Sequence, residues 1–200
     1  MSTTETVDAD TTIIVLTGPP ASGKTTIVSM LNDMGIPCLD TGELVEEEYL
    51  FVNETSDATS DAIWEYAEQL REEHGNNVVV SQLANGWLHS NIDHSTDVVC
   101  ISSIRHQASI DWLRETFGNV LSIRIYAPPG EREERYIDRR VTQTTDTVDE
   151  RDVIDLRTEL YDRESREQPY PEYDLTLVND HNTSVSELWR KLNNIISASS

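Results

Sequence analysis

The sequence predicts an α/β fold in which helices cover both faces of a five-stranded parallel sheet. Short apolar stretches rich in β-branched residues alternate with segments of helical apolar spacing, and this alternation is typical of three-layer α/β/α domains. No internal repeat or interdomain linker divides the 200 residues, a length that suits one domain. We therefore expect a single domain over residues 12–196, with polar tails at residues 1–11 and 197–200.

The elements follow in order along the chain. The strands are predicted at residues 12–17, 36–40, 97–101, 120–126 and 174–178. The first predicted helix lies between residue 23 and Gly35, and the second begins at an N-cap at Thr41. The third spans 61–74, and the fourth carries Ile110, Leu113 and Phe117 on its apolar face. A charged helix follows over 131–140, another ends near residue 168, and the last spans 184–196. A polar loop is predicted over residues 142–149.

One segment, residues 77–88, supports two interpretations. Its Val78-Val79-Val80 run favours a strand, whereas the apolar residues from Val80 to Leu88 keep helical spacing. We predict a helix, following the helical spacing of Val80, Leu83, Ala84, Trp87 and Leu88.

The first strand leads into a glycine-rich loop with a recognisable pattern. The residues are Gly18-Pro19-Pro20-Ala21-Ser22-Gly23-Lys24-Thr25, which match the phosphate-binding G-x-x-x-x-G-K-[ST] pattern, or P-loop. A strand, a glycine loop and a helix N-terminus in this order direct backbone N–H groups and the positive helix end at phosphates. Lys24 is predicted to reach the β- and γ-phosphates of ATP or GTP, and the Thr25 hydroxyl to bind the accompanying Mg²⁺. The predicted nucleotide-binding residues are therefore Gly18 to Thr26.

The chain is strongly acidic, with 37 Asp and Glu residues against 15 Lys and Arg and a net charge of −22. This balance argues against a nucleic-acid partner, whose binding needs basic surface, and against adhesion to anionic membranes. Acidity spread along the chain with only two lysines is typical of adaptation to high salt, so we expect a halophilic protein. One of those lysines, Lys24, lies in the P-loop, where phosphate binding calls for a flexible point charge.

The remaining composition predicts a cytoplasmic protein that holds no metal of its own. Cys38 and Cys100 lie in apolar runs and are expected to be buried thiols in a reducing compartment. The five histidines are scattered without metal-ligand spacing. We expect no signal peptide and no membrane span, since no apolar run is long enough. The sequence leaves the oligomeric state open.

Several segments resemble the nucleoside monophosphate kinase group of P-loop proteins, and within it an archaeal branch with dephospho-CoA-kinase-like and adenylate-kinase-like members. The resemblance covers most of residues 12–196 and is carried by Gly18-Pro19-Pro20, Gly35-Ile36-Pro37, Gly42-Glu43, Leu70-Arg71-Glu72-Glu73-His74-Gly75, Ser102-Ser103-Ile104-Arg105 and Glu134-Arg135-Tyr136-Ile137-Asp138-Arg139-Arg140. It implies a P-loop NTPase fold with a small helical lid at about residues 129–168. It also implies transfer of a γ-phosphoryl group to a nucleotide or nucleotide-like small molecule.

The resemblance assigns roles to several arginines. Arg135 and Arg139 match lid arginines, of which one stacks on the base and another contacts phosphates, while Arg105 matches an acceptor-side arginine. Arg157, Arg163 and Arg166 on the following helix are further candidates to close on the transferring phosphoryl group, whose chemistry depends on positioned positive charge. The alternative is that these arginines pair with nearby carboxylates on solvated helices.

Two positions depart from the pattern on the acceptor side. Ser102 stands where the group has an aspartate, and Glu46 stands where classical adenylate kinases have an arginine. Asp40, at the end of the second strand, is then the best remaining carboxylate for a Mg²⁺-bound water or an acceptor hydroxyl. The alternative for Asp40 is a turn residue that caps the next helix.

Three functions remain open at this point. The first is a phosphotransferase, favoured by the intact P-loop and the lid arginines. The second is a nucleotide-binding regulatory protein with little turnover, favoured by Ser102 and Glu46. The third is an NTPase that acts on a partner. Such an NTPase would normally carry an apolar strand ending in Asp-Glu, and this sequence has none.

Overall fold

Five parallel strands form one sheet at the centre of the molecule. The computed structural model describes residues 11–91, 96–143, 149–166 and 169–199. The strands are β1 (Thr12–Thr17), β2 (Cys38–Asp40), β3 (Val98–Ser102), β4 (Val120–Tyr126) and β5 (Leu175–Val178). They are ordered β2-β3-β1-β4-β5 with every neighbouring pair parallel. The predicted α/β fold with a five-stranded parallel sheet is confirmed.

The helices connect the strands and cover the sheet. They are α1 (Lys24–Asp33), α2 (Thr41–Val52), α3 (Ser60–His74), α4 (Asn85–Asn91), α5 (Gln107–Phe117), α6 (Pro129–Gln143), α7 (Glu150–Arg166) and α8 (Val185–Ser199). A π-helix, Val79–Ala84, leads directly into α4. None of the helices in the part of the chain that the structure describes is long and apolar enough to cross a membrane.

Strand β1 separates two apolar layers, because its side chains alternate between the faces of the sheet. Ile14 and Leu16 pack with residues of α1 and α8, whereas Ile13 and Val15 pack with residues of α4 and α5. All four side chains are fully buried, and each such burial contributes about 1.5–3 kcal/mol to folding. The strand that leads into the P-loop is therefore buried along its whole length.

Helix α1 ends as the sequence predicts. Gly35 adopts a φ of 79°, its N–H donates to the carbonyl of Asn32, and the N–H of Ile36 donates to the carbonyl of Leu31. This reversal satisfies carbonyls that the last helical turn leaves unpaired, and it favours glycine because the left-handed backbone disfavours a Cβ.

The ambiguous segment 77–88 is helical, but part of it is π-helix. Val79 packs in a cluster with Val45 and Ala67 on the far side of the segment, whereas Val80 and Leu88 pack under the sheet. The wider π turn lets consecutive valines serve two different cores, which explains why the sequence carries both a valine run and a helical period.

Several boundaries differ from prediction. Strand β2 begins at Cys38 rather than at residue 36, and β3 and β5 each begin one residue later than predicted. Asp40, rather than Thr41, caps α2, because its carboxylate accepts from the backbone N–H of Gly42. Helix α8 runs through residues 197–199, which were predicted as a tail, and Thr11 is buried, with its hydroxyl donating to the carbonyl of Thr96. Helix α6 takes in residues 142 and 143 of the predicted polar loop. The predicted tail at residues 1–10 and loop residues 144–148 lie outside the described residues.

Candidate functional site

The P-loop is held at the carboxyl end of β1 by two glycines in left-handed conformations. Gly18 has a φ of 137°, and a Cβ there would come within 3.0 Å of the backbone oxygen of Ile125 in β4. Gly23, with a φ of 103°, is the N-cap residue of α1. Both positions require glycine for reasons of backbone conformation, and the first also requires it because β4 lies so close.

Contacts within the loop place the lysine over its own backbone. The Lys24 ammonium donates to the carbonyl oxygens of Gly18 at 2.7 Å and Pro19 at 3.1 Å. Asn179, just after β5, donates from its side-chain amide to the carbonyl of Ser22 at 2.9 Å. Asn179 is not among the predicted site residues, because its only local signal is a polar residue at the end of a predicted strand.

A cavity of about 390 Å³ opens beside the loop, and we call it the donor cavity after the phosphate donor that the sequence predicts there. It is lined by P-loop residues Gly18 to Thr26 except Pro19 and Ser22, by Ser103, Ile104 and Arg105, and by Arg135, Tyr136, Arg139, Arg163 and Tyr170. The structure thus brings the predicted Lys24, Thr25, Arg105, Arg135 and Arg139 to one cavity. Convergence of backbone donors, one lysine and several guanidinium groups is the arrangement that binds a polyphosphate.

Helices α6 and α7 form an antiparallel pair at this cavity, in the region predicted as a lid. The Arg157 guanidinium lies 2.6 Å from the Glu133 carboxylate, and Arg140 lies 2.7 Å from Glu159. Neither arginine lines the donor cavity. For Arg157 the ion-pair alternative describes the structure, so it stands apart from the phosphate-facing group.

Arg135 and Arg139 instead face the cavity. One Arg135 nitrogen donates to the carbonyl of Asn179 at 2.9 Å and lies 3.2 Å from the Glu131 carboxylate. The Arg139 guanidinium lies 5.9 Å from the ring centre of Tyr136. The contacts of these two arginines with a base and with phosphates remain predictions, and the position of both arginines on the donor cavity is compatible with such contacts.

A second cavity of about 560 Å³ adjoins the first, and we call it the acceptor cavity after the acceptor that the sequence predicts. Its walls come from α2, α3, the π-helix, the loop after β3 and α7; apolar Val45, Ile63, Ala67 and Val79 line it together with many polar side chains. A volume in this range accommodates a small organic molecule. Glu46 lies on its wall with an exposed side chain.

The two cavities meet at a common border. Ser103, Ile104 and Arg105 after β3, together with Arg163 of α7, line both. Ser103 has a φ of 69°, which is strained for a residue with a Cβ. Two ligands bound in these cavities would face each other across this border.

Asp40 lies beside this border but lines neither cavity. Its register partner in β3 is Ser102, and its carboxylate accepts the hydroxyls of Ser102 at 2.6 Å and Ser103 at 2.8 Å. Together with the bond from Gly42, this makes Asp40 a helix cap and an anchor for Ser103. Its role toward a Mg²⁺-bound water remains a prediction.

The structure adds three acceptor-cavity residues that the sequence analysis did not assign to the site. Trp64, which was interpreted with the other tryptophans as a core or interface residue, lines the cavity, as do Arg71 and His106. Burial and the charge of Arg71 lower the pKa of His106, which favours its neutral form. The signal that could have revealed Arg71 is its position in the Leu70–Gly75 segment, one turn after Ala67 on the buried face of α3.

Helix α7 also contacts helix α3 beside the acceptor cavity. Arg166, the last residue of α7, donates to the Asp61 carboxylate in the first turn of α3 at 2.9 Å.

No cluster of three metal-binding side chains occurs among the described residues. Thr25, which is exposed on the donor cavity at the second residue of α1, is the residue that could take part in binding the Mg²⁺ that accompanies a nucleotide. The left-handed Gly23 and the close approach at Gly18 shape a backbone cradle that fits a phosphate chain.

Comparisons with known proteins agree with this geometry. A family model described as an AAA domain matches residues 14–157. A UPF0200 protein of Thermococcus kodakarensis is 31% identical over 150 residues, which span 72% of this chain and 79% of that protein. The chain carries an AAA domain and belongs to the UPF0200 family. Another member, from Hyperthermus butylicus, is 33% identical over 125 residues and 62% of each chain.

Solved structures show the same fold in more distant proteins. A shikimate kinase from Bacteroides thetaiotaomicron superimposes with a TM-score of 0.52 at 15% identity, covering 93% of this chain and 98% of the kinase. A Chloroflexus aurantiacus protein gives a TM-score of 0.59 at 16% identity, covering 96% and 98% of the two chains. This UPF0200 member therefore has the fold of P-loop kinases.

Proposed function

We propose that this protein is a phosphotransferase that moves the γ-phosphoryl group of ATP or GTP to a nucleotide or nucleotide-like small molecule. The observation that carries the proposal is the common border of the donor and acceptor cavities. A switch or a simple NTPase needs one ligand cavity, whereas transfer between two small molecules needs two that meet. The P-loop kinase fold supports the same conclusion.

Each group at the site has a part in this reaction. Lys24 and the P-loop amides bind the phosphates, and Arg105, Arg135, Arg139 and Arg163 surround the position where negative charge develops. Mg²⁺ bound with the nucleotide supplies further neutralisation of the phosphate charge. The two-helix lid excludes water, which would otherwise compete with the acceptor.

The two lysines of the chain provide a direct test of nucleotide binding. Calorimetric titration with MgATP and MgGTP in molar KCl should show binding, and Lys24→Ala should weaken it about 10- to 100-fold through loss of a charged hydrogen-bond donor. Lys191→Ala is the matched control, because Lys191 pairs with Glu187 on α8 at 2.9 Å. Equal affinities of the two variants would contradict the proposed donor site.

The acceptor is tested with a panel of compounds. AMP, other nucleoside monophosphates and dephospho-CoA are assayed side by side with labelled ATP and GTP; resemblance makes dephospho-CoA the leading candidate, and slow or absent transfer to AMP is expected from Ser102 and Glu46. Robust turnover of AMP would contradict that ranking. Tight nucleotide binding with no transfer to any acceptor would favour the regulatory protein, the function that Ser102 and Glu46 support.

A further inference from the structure

One wall of the acceptor cavity carries two arginines against one tryptophan. The Arg105 guanidinium lies 4.7 Å from the ring centre of Trp64, and the Arg71 guanidinium lies 6.0 Å from it. All three residues line the cavity. Stacking on the indole fixes the orientation of these planar cations and limits the entropy lost when they bind a ligand.

Arg71 is the less usual member of this group, because it is almost completely buried. Only 8% of the residue is exposed, and its ion pair within the described residues joins one terminal nitrogen to Glu68 at 2.6 Å. Its Nε atom is buried and has no hydrogen-bond partner in the part of the chain that the structure describes. A buried guanidinium with an unused donor is costly unless a ligand completes its hydrogen bonds.

The surrounding charges leave this wall positive. Burial lowers the pKa of Arg71, and the neighbouring charge of Arg105 lowers it further against the opposing effect of Glu68. Four acidic residues also line the cavity, but they lie on α2, α7 and the first turn of α3. Asp61 is paired with Arg166 and Glu159 with Arg140, while Glu46 and Asp162 are exposed to solvent. An anion at the arginine wall would therefore meet two cations and only screened or paired carboxylates.

We propose that Arg71 and Arg105 bind a phosphate group of the molecule that occupies the acceptor cavity. This inference rests on the proposed function in taking that molecule as the phosphoryl acceptor. Two planar guanidinium groups supply the donors that phosphate oxygens accept in pairs. The apolar residues Val45, Ala67 and Val79 provide the surface for the organic part of the ligand.

This site changes the meaning of the Glu46 departure. An arginine at that position would extend into the cavity from α2, and here Arg71 extends into it from the neighbouring helix α3. Arg71 on α3 thus supplies the positive charge that an arginine on α2 would supply in classical adenylate kinases.

The test compares phosphorylated and unphosphorylated probes by calorimetry. AMP is measured against adenosine, and ribose 5-phosphate against ribose, in the full chain with the donor cavity filled by Mg²⁺ and a non-hydrolysable ATP analogue. All titrations are run at one salt concentration, since phosphate binding weakens as salt rises. We expect at least one phosphorylated probe to bind tenfold or more tightly than its counterpart. Equal binding, or no binding, of each matched pair overturns the proposal.

The variants assign the effect to its residues. Arg71→Gln and Arg105→Gln should each weaken the phosphorylated probe about 10- to 100-fold, while the unphosphorylated probe is unchanged. Arg71→Lys, which keeps the charge and loses the planar fork, should give a smaller loss and serves if Arg71→Gln fails to fold. Arg157→Gln is the control, since Arg157 pairs with Glu133 outside both cavities. Unchanged affinity in both Arg105→Gln and a folded Arg71 variant overturns the proposal.

Failure of this site can be distinguished from failure of the proposed function. In Lys24→Ala, without the nucleotide analogue, the phosphorylated probe should still bind and should remain sensitive to Arg71→Gln. Loss of probe binding in Lys24→Ala alone would place the phosphate in the P-loop and overturn the proposal. Probe binding without transfer from ATP or GTP would leave this anion site in place and contradict only the phosphotransferase.

Discussion

Alanine substitutions at three glycines should separate the two penalties that a Cβ would meet at Gly18 of the P-loop, namely an unfavourable backbone conformation and a clash with β4. At Gly18 a Cβ meets an unusual φ and the backbone of β4, with the Ile125 oxygen inside 3.0 Å and its carbonyl carbon at 3.3 Å. At Gly35 the φ of 79° is unfavourable, but nothing lies within 4 Å. At Gly86, in α4, nothing lies within 4 Å and φ is not in the positive range. The three sites thus carry two penalties, one penalty and none.

The expected changes in the free energy of unfolding follow from these contacts. Gly18→Ala should lose about 2–6 kcal/mol, because backbone strain and overpacking against a rigid strand each cost about 1–3 kcal/mol. Gly35→Ala should lose about 1–2 kcal/mol from its backbone conformation alone. Gly86→Ala should gain about 0.5–1 kcal/mol, since alanine favours the helix. For a chain of this size each kcal/mol shifts Tm by about 2–4 °C.

Urea unfolding at one fixed KCl concentration measures the series. Urea is preferable to guanidinium chloride, because guanidinium is itself a salt and would screen the many carboxylates. The order of midpoints should be Gly86→Ala above wild type, then Gly35→Ala, then Gly18→Ala. A Gly18→Ala protein as stable as Gly35→Ala would refute the close approach of the P-loop to β4.

Three further outcomes are expected. Tm should rise substantially between 0.01 M and molar KCl, because carboxylates repel over a Debye length of about 30 Å at the lower salt; a flat Tm would contradict halophilic adaptation. Burial raises the pKa of Asp174, but hydrogen bonds from Ser122 and the charge of Arg114 outweigh this effect, so the pKa of the folded protein is lowered. The ionised Asp174 therefore stabilises the fold above the pKa of the unfolded chain, and this stabilisation is lost as pH falls. The difference in unfolding free energy between wild type and Asp174→Asn should narrow in acid, and a difference constant with pH would contradict the lowered pKa. The hydrogen bond with Cys100 lowers the pKa of Cys38, whereas burial raises that of Cys100. Iodoacetamide should therefore alkylate Cys38 before Cys100, as followed by mass spectrometry. Equal rates of alkylation would contradict this pairing of the two thiols.

The donor side of the site was predictable because its signal is contiguous. Eight residues from Gly18 to Thr25 carry the loop pattern, and the apolar strand before it and the helix after it confirm its context. Arg135 and Arg139 were predicted from the resemblance to nucleoside monophosphate kinases, and both line the donor cavity, since one helical turn brings them to the same face.

The acceptor side was not predictable in the same way, because its residues meet only through tertiary packing. Asp40 reaches Ser102 because β2 lies beside β3, an order that no local pattern encodes. Arg71 and Trp64 are separated from Arg105 by more than thirty residues, and each taken alone suits an ordinary amphipathic helix. The π-helix was not predictable for a related reason, since Val79 and Val80 pack in two different hydrophobic clusters that form only in the folded chain.

In the proposed phosphotransferase, with α6 and α7 as the lid, the ion pair between Arg166 and Asp61 has a consequence for the timing of turnover. It joins the end of the lid to the helix that carries Trp64 and Arg71, so the lid cannot lift from the donor cavity without either breaking this pair or pulling the acceptor wall with it. Both side chains are largely exposed, and such pairs contribute at most about 1 kcal/mol and weaken as salt rises. In concentrated salt the lid would therefore be held shut chiefly by the ligands themselves, and product would leave as soon as its phosphates no longer bridge the two sides.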